Sequence, residues 1–257
     1  MGSSLVSVGP RLVVVLVLLA ALAVAGGRLS GLGQERAVGV AVVRATVQLA
    51  VVSAVLVPVV GSLSLSAAFV ALMVVVAALT AAGRITGRPA RNPAVRRRLP
   101  VVVIPVAGGA LPMAALIIAS GAVPLTGIAV VPVAGILIGG AMTAASLAGR
   151  RMREEITARR GEVEAALSLG LPSRDAVLMI ARDSSATALV PPLDQTRTVG
   201  LVTLPGAFVG VLLGGGSPVQ AGAAQLLVLV GLLATDVIAV WITAELVARG
   251  RLVEIPG

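Results

Sequence analysis

Seven long apolar runs, separated by short polar or glycine-containing breaks, dominate the chain. Most are close to the stretch of about 20 residues that crosses a bilayer as a helix, while the sixth is shorter and rich in glycine. The pattern predicts an all-α, polytopic membrane helix bundle of about seven transmembrane helices, forming one membrane domain over residues 1–257. The runs cover residues 10–25, 37–60, 63–82, 99–120, 123–148, 199–213 and 222–247.

Composition supports a membrane environment. Hydrophobic residues make up 58% of the 257 residues and charged residues only 12%. A soluble domain carries about 25% charged residues, so water is not the main solvent for this surface. Lipid is therefore the first expected partner of the chain.

The basic residues are all arginine, 20 of them against 11 acidic residues, for a formal charge of +9. A nucleic-acid partner is not expected, because only 1% of residues are aromatic and the arginines lie between apolar runs. The positive-inside rule explains them better, since they gather in 84–98, 150–197 and 249–251 while the loops at 61–62, 121–122 and 214–216 carry no charge. The chain is predicted to be a multi-pass protein of the cell's inner membrane, with its N-terminus outside and its C-terminus in the cytoplasm.

The first apolar run has a second interpretation. Residues 12–22 could form the apolar region of a signal peptide, followed by small residues at 23–25 that suit cleavage. A retained first helix, in contrast, completes the count of crossings that the arginines indicate.

Several chemistries are excluded by missing residue types. The chain contains no Cys, His or Lys, so it lacks the usual nucleophiles, soft metal ligands and the lysine of a phosphate-binding loop. No cofactor is expected on this chain, no catalytic residue is predicted, and a membrane-embedded enzyme finds no support. If transport is driven by ATP, a separate ATPase subunit must bind ATP and magnesium.

The stretch 149–198 is the one long charged segment between apolar runs. Glu155 and Arg159 are spaced four apart, as in helical ion pairs, and Gly170 suits a helix C-terminus. Ser173 could cap a second helix. These features predict a cytoplasmic helical loop that binds a partner.

A short motif lies in that loop. Glu164, Ala165 and Ala166 are followed by Gly170 and, after nine intervening residues, by Ile180, in the EAA-x3-G-x9-I pattern by which many ABC permeases contact their ATPase. Small side chains would let the helix enter a cleft of the partner. The Leu-Pro that usually follows is absent, and an ordinary alanine-rich helix ending in glycine is the alternative.

Three stretches resemble the FetB/YbbM-type permeases of iron-export ABC transporters. They are residues 44–49, the run 139–142 leading into 167–170, and 194–206, where Gln195, Arg197 and Thr203 depart from the family pattern. The resemblance implies a permease that pairs with a separate ABC ATPase and with a second copy of itself, and that exports a metal ion. Plant relatives linked to aluminium tolerance leave the cargo open, and no metal ligand set is predicted.

Polar residues within apolar runs are candidates for a translocation path. Arg44 and Gln48 share one face of the second run, Asp236 lies in the last run, and Asp194 lies at the mouth of the sixth. Asp236 and Asp194 offer the oxygen ligands that iron(III) or aluminium prefer. Two structural alternatives are a buried pair between Arg44 and Asp236, and an Arg44 side chain that extends to the headgroups.

Glycines recur every four residues in the sixth run, at Gly206, Gly210 and Gly214. Such a face allows close helix packing, either at a dimer interface or within one subunit. Two other functions remain alternatives to this metal exporter. One is a stand-alone secondary carrier or channel, and the other is an ABC permease for a different substrate.

Overall fold

The computed structural model describes residues 9–31, 33–89 and 91–253. In this part of the chain the structure is helical throughout, apart from turns and one isolated bridge between Val199 and Thr203. The helices are α1 Pro10–Leu29, α2 Glu35–Val60, α3 Leu63–Thr86, α4 Pro93–Ala119, α5 Gly127–Ala158, α6 Arg160–Ser168, α7 Ser173–Ala186, α8 Val190–Thr198, α9 Gly206–Leu213 and α10 Pro218–Ala248. A 3-10 turn at Thr187–Leu189 lies between α7 and α8.

Six of these helices, α1 to α5 and α10, are long and apolar enough to cross a membrane. The chain is therefore a polytopic α-helical membrane protein, as the hydrophobic pattern predicts. By contacts it divides into two compact units, Met1–Pro58 and Val59–Gly257. The prediction of a single domain remains a prediction.

The first unit contains α1 and most of α2. Neither helix has a buried residue, and the side chains that face outwards are mostly valine, leucine and alanine. Apolar side chains exposed in this way suit contact with lipid. The predicted path residues Arg44 and Gln48 are both exposed on α2.

The second unit is built around α5, which packs against α3, α4 and α10. Alanine and glycine dominate the contacts, because small side chains let helix backbones approach closely where lipid supplies no hydrophobic drive between helices. At Gly109 of α4, for example, an added Cβ would lie 2.8 Å from the Thr235 carbonyl oxygen of α10. The fully buried alanines include Ala78, Ala81, Ala82, Ala110, Ala141, Ala145 and Ala148.

Caps and turns set the ends of these helices. Asn92 accepts a hydrogen bond from the Ala94 amide at 2.9 Å and caps α4. Ser217 and Gln220 form a reciprocal capping box at the start of α10. Gly127 opens α5 where an added Cβ would overlap Ser66 and Val60, so only glycine fits this turn.

The sixth apolar run is where prediction and structure differ. Residues 199–213 do not form one spanning helix, because Gly200 takes a left-handed φ of 83° and Pro205 precedes α9, which has only eight residues. The chain nevertheless returns along α10 in short pieces, α7, α8 and α9. Along this return, Arg174 forms an ion pair with Glu245, and Ala188 lines the same cavity as Asp236. Further on, the Phe208 amide donates a hydrogen bond to the Gln225 side chain.

The charged stretch also differs in its bounds. Residues 149–158 belong to α5, so the loop proper begins at Arg159. Ser173 is the first residue of α7 rather than its cap, and the N-cap position is Pro172. The predicted ion pair between Glu155 and Arg159 is present at 3.4 Å.

Candidate functional site

Helices α6 and α7 form a hairpin whose turn depends on Gly170. This residue has a φ of 87°, which side-chain-bearing residues rarely adopt. Its amide donates to the Leu167 carbonyl at 2.9 Å, and the Leu171 amide donates to the Ala166 carbonyl at 3.2 Å. These two bonds close α6 as in a Schellman motif and send the chain into α7.

The hairpin divides the EAA-like residues into an inner and an outer set. Ala166 and Ile180 are buried, at 4% and 6% exposure, and pack with the hydrophobic core. Ala165 is exposed, and Glu164 forms an ion pair with Arg160 at 2.7 Å on the surface. Leu169, beside the turn, is 82% exposed, so the tip presents a small and apolar surface.

Arg159 holds the hairpin to the end of α5. Its guanidinium forms an ion pair with Glu162 at 2.5 Å and donates to the Ile180 carbonyl of α7 at 3.3 Å. The hydrogen bond from Arg159 lowers the pKa of Glu162 below its ordinary value. One side chain thus connects α5, α6 and α7.

Arg174 connects the start of α7 to the end of α10. Its guanidinium donates from Nε to Glu245 Oε1 at 2.6 Å and from Nη2 to Glu245 Oε2 at 2.9 Å. Hydrogen bonds to Glu245, and then to Asp175, raise the pKa of Arg174 above its ordinary value. The two helices are therefore tied at the end of the bundle where the arginines gather.

Arginines from α3, α4, α5 and the loop after α3 converge at this Arg-rich end. Arg84 of α3 and Arg150 of α5 line one cavity of about 320 Å³. A second cavity lies between Arg88, Arg98 and Arg153, and the Arg98 guanidinium donates to the Leu252 carbonyl that follows α10. The clusters that are far apart in sequence are thus neighbours in the second unit.

A cavity of about 290 Å³ lies deeper, beside the middle of α10. Its walls come from α5, the 3-10 turn, α8 and α10, and it shares Thr143 and Leu147 with the cavity that Arg84 and Arg150 line. The polar lining includes Gln195 and Asp236. Asp236 is 4% exposed, and its Oδ1 accepts no hydrogen bond from the described residues.

Gly140 brings α5 against this part of α10. A Cβ added there would lie 2.7 Å from Asp236 Oδ1 and closer still to Leu232. Gly139, the next residue, also lines the cavity, but no atom lies within 4 Å of a Cβ added there. The sequence motif includes both glycines and gives no sign of the contact between Gly140 and Asp236.

The predicted path residues are divided between the two units, Arg44 and Gln48 in the first and Asp194 and Asp236 in the second. Asp194 is exposed and lies 3.6 Å from Arg197, while its neighbour Gln195 lines the cavity with Asp236. Arg44 and Gln48 belong to the first unit, and their part in a path remains a prediction. Gln195 replaces a serine of the family pattern, which is the one sequence signal that could have pointed to it.

The predicted glycine face is open within the chain. A Cβ added at Gly206 or Gly210 would meet no atom within 4 Å, and one at Gly214 would meet only carbonyl oxygens of its own helix. Packing within one subunit therefore does not explain these glycines in the described part of the chain.

The described residues contain no group of three or more His, Cys, Asp or Glu side chains that could hold a metal ion. A tight resident site of that kind is thus not found in residues 9–31, 33–89 and 91–253. The cavity beside Asp236 offers a single carboxylate, together with amide and carbonyl oxygens.

Curated relatives come from plants and bacteria. The chain is 34% identical over 151 residues to the UPF0014 membrane protein STAR2 of Oryza sativa, covering 59% of this chain and 52% of that protein. It is 39% identical over 100 residues to the protein ALUMINUM SENSITIVE 3 of Arabidopsis thaliana, covering 39% and 37%. It is 35% identical over 120 residues to the probable iron export permease protein FetB of Escherichia coli, covering 47% and 46%.

The chain thus spans about half, or less, of the length of these relatives. No solved structure matches it. One of these relatives is named as a membrane protein and another as a permease. The profile of the uncharacterised protein family UPF0014 matches residues 11–251, nearly the whole chain, and the chain therefore belongs to that family.

Proposed function

We propose that the chain is the membrane permease subunit of an ATP-driven ABC transporter that exports a metal cation. The observation that carries this proposal is the α6–α7 hairpin, which presents the EAA-like residues at the Arg-rich end of the bundle. The printed name of one relative, a probable iron export permease, supports the metal cargo and the direction. A second relative named for aluminium sensitivity supports a hard cation more generally.

The proposed orientation follows from charge. The Arg-rich end faces the cytoplasm by the positive-inside rule, and the turns at the other end carry no charge. The C-terminus is then cytoplasmic, the N-terminus is outside, and the protein lies in the inner membrane. The broken return through α8 and α9 serves as the seventh crossing.

The ATPase is a separate subunit that brings ATP and magnesium. Its cleft receives the hairpin tip, where Glu164, Ala165 and Leu169 face outwards and Gly170 sets the turn. Ala166 and Ile180 are buried, and their proposed role is to hold the two helices of the hairpin together. Movement of the tip reaches the bundle through Arg159 and Arg174.

The translocation path is proposed to run along the α5 face that lines the two neighbouring cavities, from Asp236 towards Arg84 and Arg150. A second copy of the chain closes the path from the other side, with Gly206, Gly210 and Gly214 at the seam. Arg44, Gln48 and Asp194 are the further path residues that the sequence predicts.

The test is co-purification, in detergent, of the chain with an ABC ATPase of the same organism that is co-expressed with it. Leu169→Asp and Ala165→Arg place charge or bulk on the hairpin tip and should abolish association. Glu154→Gln is the matched control, because Glu154 lies on α5 outside the hairpin and pairs only with Arg150 at 3.6 Å. Association of both tip variants at wild-type stoichiometry would remove the ATPase-docking proposal.

A secondary carrier is the second candidate, and one observation favours it. Carriers often place a binding group beside short, interrupted helices at mid-membrane, and the short helix α8 lines one cavity with Asp236. Transport by the chain alone in vesicles, driven by an ion gradient without ATP, would favour the carrier over the ABC permease.

A further inference from the structure

Asp236 carries the only acidic side chain that is buried in the described part of the membrane bundle. It is near the middle of α10, and none of the ion pairs among the described residues includes it. An ionised carboxylate in such a place is costly unless a positive charge lies beside it. A cation beside the carboxylate, or a proton on it, removes this cost.

The space next to Asp236 suits a cation with part of its water shell. The cavity has a volume of about 290 Å³ and is open on one side, so a hydrated ion can enter. It lies beside the cavity that Arg84 and Arg150 line, since Thr143 and Leu147 belong to the walls of both. An ion can thus reach Asp236 through this cavity, although the side chain itself is almost fully buried.

Two further residues with oxygen atoms line the same cavity, Ala188 of the 3-10 turn and Gln195 of α8. Pro191 and Pro192 lack an amide hydrogen, so the carbonyl of Ala188 cannot accept the usual bond from the third or fourth residue after it. Three elements, α10, the 3-10 turn and α8, thus bring residues with oxygen ligands to the lining of one cavity.

Gly140 preserves this arrangement from the side of α5. A methyl group at this position would lie 2.7 Å from Asp236 Oδ1 and would occupy the space in front of the carboxylate. The glycine therefore adds no side chain that could compete with a ligand for Asp236 Oδ1.

We propose that this cavity binds a hard, oxygen-preferring metal cation inside the membrane, through the Asp236 carboxylate, the Gln195 amide oxygen and the Ala188 carbonyl oxygen. The site rests on the proposed function, since the cation is the cargo of the permease. Only one ligand is charged, so water completes the coordination and binding is weak. Weak binding suits a transporter, which must release its cargo.

Terbium(III) is the probe that tests the site, because it is a hard trivalent cation whose luminescence is sensitised by a nearby tryptophan. The chain has one tryptophan, Trp241. It lies five residues after Asp236, about 7.5 Å along the helix axis. The full-length chain in detergent should show saturable terbium luminescence when the tryptophan is excited.

Asp236→Asn should weaken terbium binding by about tenfold or more, since it removes the one charged ligand but keeps the shape. Gln195→Ala should weaken it less, and it changes an exposed side chain, so it remains informative if Asp236→Asn does not fold. Asp183→Asn is the matched control. Asp183 lines a separate surface cavity with Trp241, and its loss should leave the signal unchanged.

The site is wrong if Asp236→Asn binds terbium with wild-type affinity. If Asp236→Asn does not fold, wild-type terbium affinity in Gln195→Ala has the same meaning. The absence of terbium luminescence in the wild type would also overturn the site. A signal lost in Asp183→Asn would also overturn it and assign the cation to the surface cavity. Co-purification with the ATPase is measured on the same preparations. A chain that binds terbium at Asp236 without binding an ATPase keeps the site and loses the ABC proposal.

Discussion

The guanidinium of Arg174 and the carboxylate of Glu245 form two hydrogen bonds, at 2.6 Å and 2.9 Å, that join α7 to α10. Glu245 lies on the same helix as Asp236, nearer its C-terminus. Movement of the α6–α7 hairpin can therefore be transmitted directly to α10, which holds the proposed cation site, without an intervening flexible loop. A paired, planar contact of this kind fixes orientation as well as distance.

The first prediction concerns this connection. Arg174→Gln should leave ATPase binding intact but reduce cargo-stimulated ATP hydrolysis by about fivefold or more, as expected when a coupling between two sites is lost. Arg249→Gln is the control. Arg249, at the C-terminal end of α10, pairs with the same Glu245 carboxylate at 2.7 Å, so this pair does not join two helices. Equal stimulation in Arg174→Gln and wild type would exclude the pair as a route of coupling.

The second prediction concerns packing beside Asp236. Gly140→Ala should destabilise the bundle by about 1–3 kcal/mol, since the new methyl group overlaps Leu232 and Asp236 in a packed interface. Gly139→Ala should be tolerated, because nothing lies within 4 Å of its added Cβ. Thermal unfolding of the two variants in one detergent checks the difference, and equal midpoints would contradict the close approach of α5 and α10.

The membrane fold was largely predictable from hydrophobic runs, because a spanning helix must satisfy its backbone hydrogen bonds internally and so appears as a long apolar stretch. The exception is residues 199–213. Their apolar composition looks like a span, but Gly200 and Pro205 interrupt it, and local backbone geometry decides the outcome. Periodicity alone does not distinguish a continuous helix from a broken one.

The candidate site was predictable in part. Asp236 was selected from the cost of burying a charge, and Gly170 from its place at a helix end. Gln195 and Gly140 were not selected as partners of Asp236, because they are distant from it in sequence and only the packing of α5, α8 and α10 brings them to one cavity.

The third prediction concerns the turn of the hairpin. Gly170→Ala should destabilise the α6–α7 turn by about 1–2 kcal/mol, since alanine resists the left-handed conformation at a φ of 87°. Gly161→Ala should have the opposite sign, because Gly161 lies inside α6 with open space around it, where alanine favours the helix. Amide hydrogen exchange over residues 160–186 should become faster in the first variant and slower in the second. Exchange rates that change in the same direction in both variants would refute the roles assigned to Gly170 and Gly161.

The fourth prediction uses the absence of cysteine from the chain. In Gly210→Cys, two copies that meet along the proposed seam should form an intermolecular disulfide under mild oxidation, because the Cα atoms across such a bond lie within about 7 Å. Gly222→Cys is the control, since Gly222 on α10 also has open space around its added Cβ but lies outside the seam. Cross-linking of both variants, or of neither, would argue against a dimer through α9.

The fifth prediction concerns acid. The pKa of Glu162 lies below its ordinary value of 4.5, because Arg159 stabilises the carboxylate in the folded state. The folded chain thus binds fewer protons at this group than the unfolded chain. The contribution of the pair is fully present above pH 4.5 and is lost as the pH falls through the lower, folded pKa.

Glu162→Gln should therefore loosen the hairpin at neutral pH and make little difference in acid, where the wild-type carboxyl group is already protonated. Trp241 reports on this region, because it shares a surface cavity with Leu178 and Met179 of α7. Thermal melts followed by its emission should show the two proteins differing at pH 7 and converging as the pH falls through the lowered pKa of Glu162. In an Arg159→Gln background the difference at pH 7 should disappear, because the partner that lowers the pKa of Glu162 has been removed. If the difference persists there, the pH dependence comes from another group and the role assigned to Arg159 is wrong.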